Sequence, residues 1–127
     1  MTTLQTHELI DTAADLIETL GWTQGPDGWP STPDHDGPVC AEGGLMLAGG
    51  INWATGPGEL VAFWQSPAVT AVKNQIGATF IPEWNDEEGR TRGEVIGALR
   101  SAAAVERQRA GDLAELDTLA TGELVSA

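Results

Sequence analysis

Residues 91–110 read TRGEVIGALRSAAAVERQRA, and the first four of them decide how the rest is taken. Thr91 and Glu94 have the spacing of a capping box, in which a hydroxyl and a carboxylate satisfy free backbone N–H groups at a helix start. Val95, Ile96, Leu99, Ala102 and Ala103 then recur three and four residues apart, the period of one helical face. This predicts a helix to about Ala110. Asp112 with Glu115 then predicts a short final helix carrying Leu113, Leu116 and Leu119, followed by a frayed tail.

Upstream of the box, Ser66-Pro67 supplies an N-cap and a first-turn proline for a helix with Val69, Val72 and Ile76 on one side. Residues 51–65 are apolar (Ile51, Trp53, Leu60, Val61, Phe63, Trp64) but broken by Gly56-Pro57-Gly58, which predicts a turn or a helical piece on each side. Val39 to Ala48 reads as a short helix with Cys40, Gly44, Leu47 and Ala48 on one face. Its glycines each weaken it by up to about 1 kcal/mol relative to alanine, so close packing against another element is the expected compensation.

At the start of the chain, Leu9, Ile10, Ala13, Ile17 and Leu20 form an apolar stripe opposite Glu8, Asp11, Asp15 and Glu18. That helix begins at Thr2, paired with Gln5, or at Thr6, and ends at Gly21 in a left-handed conformation. Residues 22–39 carry four prolines and three acids with neither helical nor strand period. A loop of this length is expected to fold back on the domain, anchored by Trp22 and Trp29. No segment alternates as a strand. The expected fold is therefore all-α: one small domain of four to five helices with a long Pro/Gly-rich loop between the first two. Its parts are a helix over 2–20, the loop over 21–39, a helical core over 40–110, and a short helix and tail over 111–127.

Composition agrees with one thin-cored domain. Leu, Ile, Val and Phe make 27 of 127 residues, close to the level at which chains fail to collapse, and 17 alanines and five tryptophans make up the difference. The net charge is −13 and uneven. Residues 1–72 hold nine acids and no Lys or Arg; all six bases lie in residues 73–127. Such a field excludes unassisted binding to nucleic acid or an anionic membrane, whose affinity comes from Lys and Arg. The single cysteine leaves no intramolecular disulfide, and the N-terminal residues lack a charged region followed by an apolar run. A soluble, cytoplasmic protein is expected, in the host cytoplasm if phage-encoded.

Gly21-Trp22, Gln24-Gly25, Cys40-Ala41 followed by Gly43 and Leu45, then Trp84-Asn85-Asp86, Arg90-Thr91 and Glu94-Val95 occur in that order. The pattern resembles a family of actinobacterial and actinophage proteins, the domain of unknown function numbered 6197. The similarity spans about Leu9 to Ala104, with Trp84-Asn85-Asp86 its most specific part. Thr23 stands where the family often has Cys and Gly44 where it often has Ala; the first counts against two-cysteine chemistry. The resemblance implies source and a coherent fold, and carries no mechanism.

Three constellations bear on chemistry. Cys40 at a helix start, with His35 five residues earlier and Asp34, Asp36 and Asn85 as orienters, is the outline of a Cys-His hydrolase; the bland reading is a small buried core residue. Asp34-His35-Asp36 with Glu42 offers metal ligands but lacks the spacing of a calcium loop, so no metal and no cofactor are expected. Asp86, beside Glu87 and Glu88, is a weak candidate for a catalytic carboxylate, against a solvated turn in which Asn85 or Asp86 bonds local backbone and Trp84 packs beneath. Of the tryptophans, Trp29 and Trp64 are the best candidates for an exposed contact. The candidate binding set is thus Trp29, Asp34, Asp36, Trp64, Trp84, Asn85 and Asp86, with Cys40, His35 and Asp86 as weak catalytic candidates.

The leading functional expectation is a small acidic accessory protein, phage- or prophage-encoded, that binds a basic or DNA-binding protein through its acidic surface or its Trp-bearing loop. The alternatives are a hydrolase-like enzyme using Cys40 and His35 or the Asp86 carboxylate, and a self-associating protein that forms a homodimer through its C-terminal helices.

Overall fold

Six α-helices and one short 3-10 turn follow one another in the computed structural model, which describes residues 4–126 and their side chains as far as residue 120. They are α1 (Thr6–Leu20), the turn (Pro26–Gly28), α2 (Ala41–Ala48), α3 (Pro57–Trp64), α4 (Pro67–Ile76), α5 (Ile81–Asn85) and α6 (Arg92–Ser126). The all-α class is as expected, with six helices rather than four or five. Pro57 opens α3 at its first turn, and Ile81-Pro82 opens the one-turn α5, two starts that weak periodicity had hidden.

Each helix begins where its local chemistry allows. Thr91 and Glu94 make the reciprocal pair, the Glu94 N–H donating to Thr91 Oγ1 and the Thr91 N–H to Glu94 Oε1, both at 3.2 Å. α1 starts at Thr6, where the Gln5 N–H donates to the Glu8 carboxylate at 2.9 Å; Thr2 lies outside the described residues. α1 ends at Gly21, whose φ of 104° and ψ of 169° are open to glycine but are not the left-handed helical cap expected. The extended ψ feeds Trp22 directly into a parallel bridge with Val39.

The core lies where α1 and α2 cross and where α6 covers both α1 and α4. Ile10, Ala13, Ala14 and Ile17 of α1 are fully buried, as are Leu45 and Met46 of α2, Val69 and Val72 of α4 and Val95, Leu99, Ala102 and Ala103 of α6. Alanines make up half of these buried positions in α1 and in α6. Gly43 and Gly44 supply the compensation their helix needs. A Cβ on Gly44 would lie 3.3 Å from the Ala13 carbonyl oxygen, and one on Gly43 would overlap the Gly28 carbonyl oxygen. At the rim of the α1–α6 contact, Arg100 pairs with Asp11 at 3.0 Å and also with Asp15, Arg107 pairs with Asp11, and Arg92 donates to the Glu18 carbonyl at 2.7 Å. The bases of the second half of the chain therefore neutralise acids of the first.

α6 corrects the expected break at Ala110. Gly111 costs a helix only about 1 kcal/mol and is flanked by good helix formers, and the Asp112 carboxylate accepts from Gln108 Nε2 at 2.9 Å, one turn back, instead of capping a new helix. A single helix of 35 residues results, about 52 Å long. Its outer half leaves the domain with Leu113, Leu116 and Leu119 about 60% exposed. Among the described residues no helix is long and apolar enough to cross a membrane.

Candidate functional site

The start of α2 is held from three sides, and this aims its first turn. Asn85, fully buried at the end of α5, accepts through Oδ1 from Trp22 Nε1 at 2.8 Å and from the Ala41 N–H at 2.9 Å. Its Nδ2 donates to the Thr23 carbonyl at 3.2 Å and to Asp86 Oδ1 at 2.9 Å, so its amide bonding capacity is filled. The Gly25 N–H donates to the same Asp86 oxygen, and Gln24 Nε2 to the Asn85 carbonyl. Trp84-Asn85-Asp86 is thus a clasp that joins α5, the loop entry and α2. Trp84 itself lies under the Arg90 guanidinium, 4.0 Å from the ring centre.

Cys40 caps α2, its Sγ accepting from the Gly43 N–H at 3.2 Å. Burial pushes its thiol up to about 11 from an ordinary 9.0, with Glu42 and Asp86 adding to the rise. The His35 ring bonds the Pro38 carbonyl at 3.3 Å instead of the thiol. The structure does not assemble a Cys-His pair. Cys40 in the folded protein is expected to react with a thiol reagent at pH 8 at least about a hundredfold more slowly than in urea, from the thiolate fraction alone. Equal rates would show a reactive cysteine. Asp34 and Asp36 are exposed on the loop, where Asp34 accepts from the Thr32 hydroxyl and is held below its ordinary value by it. Among the described residues no three His, Cys, Asp or Glu side chains are placed to hold a metal ion.

In the first turn of α2 stands a residue that reads in the sequence only as a neighbour of the Asp34-His35-Asp36 run. Glu42 is 7% exposed, and its Oε1 accepts from Trp64 Nε1 at 3.1 Å. The ion pairs of the described residues all lie elsewhere, along α1 and α6 and around Arg90. Burial raises its carboxyl above the ordinary 4.5, opposed by the Trp64 hydrogen bond, the charge of Lys73 and the nearby Trp29 N–H. That Trp29 Nε1 is buried and completes no hydrogen bond, though it lies close enough to favour the ionised glutamate.

Glu42 opens onto a cavity of about 270 Å³ walled by Trp64, Val69, Lys73, Phe80 and Ile81, with Phe80 58% exposed. On the other side of Trp64 the rings continue: Trp53 is tilted against it at 6.1 Å between centres, and Trp29 meets Trp53 edge-on at 5.6 Å. Trp29 and Trp64, the tryptophans expected to be exposed, are half-buried, whereas Trp53 is 42% exposed. The Trp53 N–H donates to the Pro30 carbonyl at 3.0 Å, which fixes the layer to the loop.

A family of unknown function, DUF6197, matches residues 1–105. The chain belongs to that family. No curated protein and no solved structure matches it. The DUF6197 span contains the Asn85 clasp, the tryptophan layer and the Glu42 cavity, and it ends at Val105, so the outer part of α6 lies beyond it.

The raised Glu42 carboxyl gives a sign for pH. It takes its proton at higher pH in the folded than in the unfolded chain, so stability is highest below the ordinary 4.5 and falls as pH rises from there through the raised value. Glu42→Gln keeps an acceptor for Trp64 and removes the buried charge. It is expected to raise the melting temperature at pH 7 with a gain that shrinks toward pH 4. A gain independent of pH would show that burial does not penalise this carboxylate.

Proposed function

We propose that this DUF6197 protein is a non-enzymatic binding module that takes a basic segment of a protein partner, a nucleic-acid-binding protein being one such class. One lysine or arginine of that segment enters over Trp64 toward Glu42. The observation that carries the reading is the buried Glu42 carboxylate at the wall of an aromatic cavity, with one hydrogen bond and, among the described residues, no ion pair. A carboxylate removed from water is costly unless a cation completes its shell. A basic side chain would supply that partner, and the Trp64 and Phe80 rings offer faces to which cations are attracted. Lys73, which also lines the cavity, limits it to one guest cation and leaves its own ammonium to bond a carbonyl of the bound segment. Asp27, Asp34, Asp36 and Glu59, outside the α1–α6 ion pairs, provide the field that draws such a segment in. An actinobacterial or phage source and a cytoplasmic location belong with this reading as parts of the proposal.

The test is calorimetric titration with a nonapeptide carrying two lysines among apolar residues, at low and at moderate salt. Saturable binding that weakens with salt and falls at least about tenfold in Glu42→Gln supports the reading. Undiminished affinity in Glu42→Gln, or equal binding of the same peptide with glutamates in place of the lysines, would overturn it.

A further inference from the structure

We propose that the outer half of α6 pairs antiparallel with the same segment of a second copy of this chain. This goes beyond the Glu42 reading and rests on different residues. Val105, Arg109, Asp112, Leu116 and Leu119 follow one another at spacings of four, three, four and three, the repeat of a two-stranded helical seam. They project outward: Val105 is 51% exposed, Leu116 62% and Leu119 57%, and Arg109 and Asp112 are exposed too. Leucines this exposed on consecutive turns of one helix are an apolar surface awaiting cover.

The charges on the seam indicate what covers it. In an antiparallel pair related by a two-fold axis, residue i of one copy meets residue j of the other, and j meets i. With the axis between Arg109 and Asp112, each Arg109 faces the other copy's Asp112, and each Val105 faces the other copy's Leu116. The seam is its own complement in charge and in apolar character. Leu119 then falls at the level of the other copy's Ala102, which is buried in its own domain, so it lies between the half-buried Ala98 and the exposed Ser101. Arg109 is 62% exposed with only a 3.8 Å contact to Glu106, so its guanidinium is available. A parallel pair places Arg109 on Arg109 and Asp112 on Asp112, which like charges oppose. Polar residues within an otherwise apolar seam set register and direction at some cost in affinity.

Sedimentation equilibrium of the full chain, from a few micromolar to several hundred micromolar, tests this. The expected result is a monomer–dimer equilibrium within that range, with no higher species. Leu116→Glu is expected to leave a monomer with unchanged melting temperature at low concentration. Arg109→Asp and Asp112→Arg each weaken the dimer at least about tenfold, and the double variant recovers it, because the two reciprocal pairs are restored with their signs exchanged. A monomer at every concentration overturns the proposal, as does a dimer indifferent to Leu116→Glu. A double variant no tighter than either single one overturns the antiparallel register.

Discussion

Gly43→Ala is expected to abolish folding or to lower stability by about 3 to 5 kcal/mol, the range of severe overpacking against atoms that cannot step aside. The new methyl carbon would lie 1.8 Å from the Gly28 carbonyl oxygen and 2.9 Å from its carbon, and both are backbone. That carbonyl also accepts the Cys40 N–H at 3.1 Å, and a Cβ on Gly28 would in turn lie 2.6 Å from the Cys40 nitrogen. The 3-10 turn and the first turn of α2 are therefore in backbone contact, and relief would require separating them. Helix propensity pushes the other way by only about 1 kcal/mol. Gly97→Ala is the control: this α6 position has no atom within 4 Å of a new Cβ, so the same substitution is expected to stabilise by about 0.5 to 1 kcal/mol. Urea unfolding of both variants reads the contrast. A wild-type midpoint for Gly43→Ala would mean that the turn yields easily.

Asn85→Ala is expected to cost about 3 to 4 kcal/mol, with the melting temperature lowered by roughly 10 to 20 °C. The loss leaves the Trp22 indole N–H, the Ala41 N–H and the Thr23 carbonyl without a partner, all three on buried or half-buried residues. Groups so orphaned cost about 1 to 3 kcal/mol each where water cannot reach them. Asn85→Asp separates the two halves of the amide. It keeps the oxygen that serves Trp22 and Ala41 but loses the donors and sets a second carboxylate against Asp86. At neutral pH it is expected to be no more stable than Asn85→Ala and to recover as acid protonates the pair. Thermal unfolding of the two variants across pH decides this; an Asn85→Ala protein within 1 kcal/mol of the parent would show that water replaces the clasp.

What was legible in the sequence was what neighbours in the chain determine. The Thr91–Glu94 box, the Ser66-Pro67 start and the Ile10, Ala13 and Ile17 stripe are local patterns, and each marks a helix that forms. Gly111 misled because a glycine is only weakly unfavourable in a helix, and the alanines and leucines around it decide. The clasp was half visible: Asn85 reads as a turn residue, but its partners lie some 44 to 63 positions away. Glu42 had no signal of its own. Its burial is made by Trp64, Lys73 and Phe80, none of which is near it in the chain, and the sequence only shows an acid among glycines and alanines. The tryptophan layer is similar, since spacing along the chain cannot tell that rings at 29, 53 and 64 meet in a row.

The pairing of the first helix with the last has a consequence during synthesis. Arg100 reaches back 89 residues to Asp11, and α6 packs along the length of α1. At ribosomal speeds of about 5 to 20 residues per second, α1 leaves the ribosome several seconds before its partner exists. For that interval its apolar stripe is open to α2 and to whatever else is near. The acids along its other side then keep nascent chains apart by mutual repulsion, before Arg100 and Arg107 arrive to neutralise them. The same carboxylates thus serve the growing chain as a solubility tag and the finished one as a latch.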